Sequence, residues 1–130
     1  MLTARLVLGA AFGGLIVLMA GCGGSGAAKA TGGDSARGKA LYISLTCDGC
    51  HTLTGIRGTG PTFKGLAGSR VKLKSGKTVT ADENYLFESI ETPNKELVST
   101  YSALMESAIK PHAVTEQDAR DLIAFIKTVR

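Results

Sequence analysis

Residues 47 to 51 read Cys-Asp-Gly-Cys-His, and this pentad holds two of the three cysteines and one of the two histidines in the 130-residue chain. The spacing suits three chemistries: a redox dithiol, part of a zinc site, or the attachment point of a c-type haem. Each makes a different demand on the rest of the sequence. A structural zinc site takes four nitrogen or sulfur ligands. Beyond the pentad the chain offers only Cys22 and His112, and His51 directly behind Cys50 makes an awkward chelate. A dithiol of the thioredoxin kind belongs on a βαβ framework. Haem attachment needs two thiols that reach two vinyl groups at one edge of a porphyrin. It also needs a histidine next in line, able to turn under the ring and bind the iron, and a compartment outside the cytosol.

The N-terminus supplies that compartment. Arg5 is the only charge in residues 1–22, and Leu6 to Ala20 is an unbroken run of apolar residues and glycine. A short basic start followed by such a run reads as an export signal. An uncleaved membrane helix is the alternative, but the run falls short of the ~20 apolar residues a span requires, and glycines interrupt it. Residues 18–22, Leu-Met-Ala-Gly-Cys, resemble a bacterial lipobox, with Met19 where leucine is usual. Residues 1–21 are therefore expected to be a lipoprotein signal peptide and Cys22 the site of lipid attachment, with cleavage after Ala30 as the competing outcome. Two or more acyl chains on one terminus suffice for stable anchoring. Residues 22–33, rich in glycine, serine and alanine, form a tether with a reach of roughly 20 Å. The domain would then be exported and held at a bacterial membrane, facing the periplasm or the cell exterior. Gly23 permits either bacterial membrane.

Residues 34–130 remain for the folded domain. They contain no tryptophan and six aromatic residues, so the core is thin for a domain of this size. Asp34 or Ser35 can cap a helix over 36–45. Residues 54–68 carry five glycines and a proline and read as loop. Val71 and Leu73 alternate with Lys72 and Lys74, and Ser75-Gly76 turns the chain back through Thr78 and Val79, which reads as a small hairpin. Thr80 and Glu83 have the spacing of a capping box before a helix over 82–91, which Pro93 stops. Residues 99–110 are weakly helical up to Pro111. Thr115 and Asp118 open the last helix, where Ala119, Leu122, Ile123 and Ile126 follow the i, i+3, i+4, i+7 rule. No βαβ unit appears. The glycine-rich loops need something to wrap around, and the dithiol and zinc readings lose their frameworks. One covalent haem c held by Cys47 and Cys50 is the reading that remains.

The residues around the pentad carry a resemblance. GKALY (38–42), CDGCHTL (47–53), GPTFKGL (60–66), VKLKSGKTVTAD (71–82), YLFESIETPN (85–94) and LIAFIKTV (122–129) resemble a class I cytochrome c. More narrowly, they are similar to the cytochrome c domain fused to subunit II of some bacterial haem–copper oxidases. The resemblance implies a mostly α fold in which the N- and C-terminal helices cross over the covalently bound haem, with a small β-hairpin insertion. It implies that Gly38 and Tyr42 pack against the last helix, with Leu122 and Phe125 as partners. It implies that His51 binds the iron while the Pro61 carbonyl accepts a hydrogen bond from its ring, and that an axial methionine stands ahead of the last helix. Met105 matches that place and is the only methionine after Cys22. The family usually has proline next, where this chain has Glu106. His112 is the rival ligand, and an open sixth position is the third outcome.

The expected function is that of a membrane-anchored electron carrier, not an enzyme. It would pass single electrons to or from redox protein partners such as a terminal oxidase and a quinol-oxidising complex. It would act as a monomer, with no small-molecule substrate and no nucleic acid. An open sixth position would instead make it a haem-based gas sensor or a small haem enzyme. Six basic residues (Arg57, Lys64, Arg70, Lys72, Lys74, Lys77) and no acid lie between Gly49 and Ala81. They are either a solvated face or a docking face that steers an acidic partner.

Overall fold

The computed structural model describes residues 32–130. The expected signal peptide, Cys22 and all but the last two residues of the expected tether lie outside the described residues. Four helices and one hairpin follow in order: α1 (Ser35–Ser44), β1 (Arg70–Lys72), β2 (Thr78–Thr80), α2 (Glu83–Glu91), α3 (Met105–Ile109) and α4 (Glu116–Ile126). Short 3-10 turns at Cys47–Gly49 and Lys110–His112 complete the regular structure.

Helix α1 is capped by Asp34, whose Oδ1 accepts from the amides of Ala36 and Arg37 at 2.8 and 3.1 Å. Its buried face is Gly38 and Tyr42, with Leu41 and Leu45 only partly covered. Gly38 is what lets α1 lie on α4. A Cβ built there would stand 1.9 Å from the Asp121 carbonyl oxygen and 2.8 Å from Phe125 Cβ. The two helices therefore meet backbone to backbone, as expected for Gly38, and Tyr42 packs on Phe125 with ring centroids 5.6 Å apart. Asp121 fastens the same crossing. Its side chain is 1% exposed, its Oδ1 accepts from the Asp34 amide at 2.7 Å and Gln117 Nε2 at 2.9 Å, and its Oδ2 lies 3.2 Å from Arg37 Nε. That last contact is an ion pair without hydrogen-bond alignment. A buried carboxylate needs such partners to offset its lost hydration.

Helix α4 has the expected cap. Thr115 Oγ1 accepts from the Asp118 amide at 3.2 Å, and Asp118 Oδ2 accepts from the Thr115 amide at 3.1 Å. Ala119, Leu122, Ile123 and Ile126 are all buried. The hairpin pairs Arg70 with Thr80, Val71 with Val79 and Lys72 with Thr78. Val71 and Leu73 point into the core while Arg70, Lys72 and Lys74 are exposed. Gly76, at φ +86°, makes the turn.

Two local expectations change. Thr80 does not cap α2, because it is the last residue of β2. The cap is Asp82, whose Oδ1 accepts from the Tyr85 amide at 2.9 Å. Residues 99–104 form no helix. Regular structure resumes only at Met105, and Pro111 sits within a 3-10 turn where its missing amide costs no helical bond.

Candidate functional site

The pentad begins with a sharp reversal. Thr46 sits at φ +55°, a conformation that a β-branched residue adopts only under constraint. It breaks the chain from α1 into the Cys47–Gly49 turn. The amides of Cys50 and His51 both bond to the Cys47 carbonyl, at 3.1 and 2.8 Å. This coil brings Cys47, Cys50 and His51 to the wall of one cavity.

The loop after His51 folds back to hold the ring. Gly60 donates its amide to the Cys50 carbonyl at 2.9 Å. A Cβ on Gly60 would lie 2.6 Å from His51 Cε1 and 2.9 Å from both ring nitrogens, so only glycine fits beneath the imidazole. His51 Nδ1 donates to the Pro61 carbonyl at 2.7 Å. Since a carbonyl only accepts, Nδ1 carries the proton and Nε2 keeps a free lone pair, the tautomer that a metal ligand needs. Phe63 stacks on the ring with centroids 4.6 Å apart, and Tyr42 Oη donates to the His51 carbonyl. Burial holds the imidazole's pKa below its usual value, partly offset by the Pro61 bond, so the ring stays neutral. Tyr42 is itself pushed up, chiefly by burial, and its hydroxyl stays a donor.

Burial also raises the Cys47 thiol to about 11, with Asp48 and Cys50 adding to the shift and a backbone hydrogen bond opposing it. A reactive redox dithiol requires a lowered thiol pKa, and Cys47 shows the reverse. Among the described residues no cluster of three or more His, Cys, Asp or Glu is placed to hold a metal ion.

The cavity encloses about 1290 Å³ of space, its open mouth included. Its walls are mostly apolar and come from several elements: Pro61, Phe63 and Leu66 from the loop, Leu86 and Ile90 from α2, and Leu122 and Ile126 from α4. Leu97, Val98, Tyr101 and Leu104 close it from the segment before α3, together with Met105, the first residue of α3. Met105 and His51 thus line the same cavity, although 54 residues separate them in sequence. His112 lies in the 3-10 turn after α3 and does not line it. The apolar walls suit an apolar cofactor, with two thiols and a neutral imidazole on one wall and a thioether available from another element.

A small helical domain whose first and last helices cross beside such a cavity defines a class of covalent haem carriers. The family model Cytochrome c matches residues 35–130, and the chain belongs to the cytochrome c family, a haem protein of electron transfer. Its cofactor is haem c, attached through Cys47 and Cys50.

Several contacts of the site leave no local mark in the sequence. Phe63 stacks on the imidazole, Tyr42 bonds the His51 carbonyl, and Tyr85 and Tyr101 line the cavity. Only the aromatic identity of these residues in a chain poor in aromatics was a signal. Gly60 was visible as part of the Gly-Pro pair, but its closeness to the ring was not.

Proposed function

We propose that this cytochrome is a membrane-tethered carrier of single electrons, with His51 and Met105 holding the iron on its two faces. The observation that carries the reading is their shared cavity: a neutral imidazole fixed by Pro61 and a lone thioether line one space. Haem supplies the one-electron chemistry when bound. The chain supplies the rest. His51 is held against rotation by Gly60, Pro61 and Phe63, the apolar walls exclude water, and a histidine–methionine pair sets a raised potential. With His51 and Met105 both holding the iron, the centre would bind no substrate and would act as a carrier, not as an enzyme.

Partner docking is assigned to two exposed features. Ile56, 69% exposed, follows the pentad, and Leu104, 54% exposed, lies on the cavity wall. Arg70, Lys72, Lys74 and Lys77 on the hairpin form no ion pair among the described residues, which suits steering of an acidic redox protein. A terminal oxidase is the proposed acceptor and a quinol-oxidising complex the proposed donor. The resemblance to oxidase-linked cytochrome c domains supports both. The lipobox supports anchoring through Cys22 after removal of residues 1–21, with the domain outside the cytosol.

Redox titration of Met105→Ala tests the ligand assignment. The potential should fall on the order of 0.1 V, within the ~0.8 V range that axial ligation spans. An unchanged potential and spectrum would take Met105 off the iron. Fractionation of cells carrying Cys22→Ser tests the anchor. The variant should leave the membrane fraction, and continued retention would point to an uncleaved helix.

A further inference from the structure

Arg57 belongs to the acid-free basic stretch, yet it does not face solvent alone. Its guanidinium donates to the Thr100 carbonyl and lies 4.3 Å from the centroid of the Tyr101 ring. Arg57 sits on the loop that holds His51. Thr100 and Tyr101 sit on the segment that leads to Met105. Both stretches flank the cavity, Thr59, Gly60 and Pro61 lining it from one and Tyr101, Leu104 and Met105 from the other.

That second segment is weakly held. Residues 99–104 contain no helix or strand. Ser99 is the last residue tied to the hairpin, its amide donating to the Lys72 carbonyl at 2.8 Å. Beyond it the backbone bonds are local: Tyr101 to Val98 and Leu104 to Ser102. From Thr100 to Leu104, the described long-range polar contacts are both made by Arg57. Packing does not replace them, since Leu104 is more than half exposed. On the far side of Met105, Glu106 is secured by Asn94 and Lys110. Met105 is therefore presented between two fastenings, and the earlier one is a single side chain.

We propose that Arg57 is a positioning residue that clasps segment 100–104 over the haem cavity, keeps Met105 seated and thereby denies the sixth position to external ligands. This rests on Met105 as the axial ligand. The task suits arginine, because one planar guanidinium can donate to a carbonyl and lie on an aromatic face together, whereas an ammonium has no planar face to lay on the ring. Opening of the clasp is the step that would free the segment, so its frequency sets how fast an incoming ligand displaces the thioether.

The test uses the haem-loaded protein and two readouts. The first is the limiting rate at which imidazole replaces the thioether on the ferric form. The second is amide hydrogen exchange at residues 101–105, with the α4 amides as reference. Arg57→Ala should raise the imidazole rate and the exchange at 101–105 by about tenfold, equivalent to about 1.4 kcal/mol, with α4 unchanged. Arg57→Lys should fall nearer to the alanine variant than to the parent. Tyr101→Leu, which removes the ring and leaves the carbonyl bond, should give a smaller increase. Lys64→Ala, which removes a neighbouring exposed charge, should match the parent. Parent-like rates in Arg57→Ala would overturn the clasp, as would an equal acceleration of the α4 amides, which would mark a general loss of stability. A parent protein without the sulfur-to-ferric-iron charge-transfer band would overturn the Met105 assignment itself, a failure separable from that of the clasp.

Discussion

At the scale of single residues, the site is defined as much by absent atoms as by present ones. Gly60 has no side chain because the His51 ring occupies that space, and Gly58 is similarly confined, with a Cβ there falling 2.4 Å from the Cys50 carbonyl oxygen. The ring above Gly60 cannot move aside, since Pro61 bonds one edge and Phe63 covers a face. Gly60→Ala should therefore displace the loop, lower the yield of haem-loaded protein and destabilise what forms by about 1–3 kcal/mol, the usual cost of overpacking. Denaturant titration beside a haem assay checks this, and parent-like values would mean that the ring has slack. Much of this scale was legible in the sequence. Cysteine and histidine spacing reports chemistry directly, because the vinyl groups and iron of one porphyrin impose it. The stacking of Phe63 and the hydroxyl bond of Tyr42 were not legible, since nothing in a linear sequence says which aromatic ring lies beside which imidazole.

At the scale of elements, the crossing of α1 and α4 is the structural hinge of the argument from sequence to site. It holds α1 against α4, and the pentad follows α1 after Leu45 and Thr46. Gly38→Ala would drive a methyl into the Asp121 carbonyl, and backbone cannot swing away as a side chain can. The expected cost is about 3 kcal/mol, at the upper end for overpacking, or roughly 12–24 °C in melting temperature for a domain of this size. Thermal unfolding followed by circular dichroism measures it, and a shift of only a degree or two would show that the helices can separate without penalty. Helix α4 could be read from its period and its capping box because both signals are local and agree. The cap of α2 was misread for a physical reason. Thr80 and Asp82 both offer a capping oxygen, and the choice falls to Asp82 because Thr80 is already paired with Arg70 across the hairpin. That pairing is tertiary and leaves no local mark. The same applies to residues 99–104, whose weak helical tendency yields to the bonds that draw 97–99 onto the hairpin through Lys74 and Lys72.

At the scale of the whole molecule, the cavity and the core are nearly the same object. Leu86, Ile90, Leu122 and Ile126 belong to the buried cluster and also line the cavity. Only twelve apolar side chains are buried in the described domain, so the haem completes the core as well as the redox centre. This explains how a domain without tryptophan and with long glycine-rich loops can be specific in shape. The large-scale distribution of charge follows the same logic. Carboxylates on the helices are largely matched by bases, as in Glu83 with Lys127 and Glu106 with Lys110, while the hairpin bases make no ion pair among the described residues. The proposed carrier role requires a closed, six-coordinate centre held by His51 and Met105. The visible spectrum of the reduced protein, recorded before and after addition of carbon monoxide, reports on that closure. A c-type spectrum that carbon monoxide leaves unchanged is the expected result for an electron carrier. A clear shift would mean an open sixth position and a protein that senses or transforms a small ligand instead.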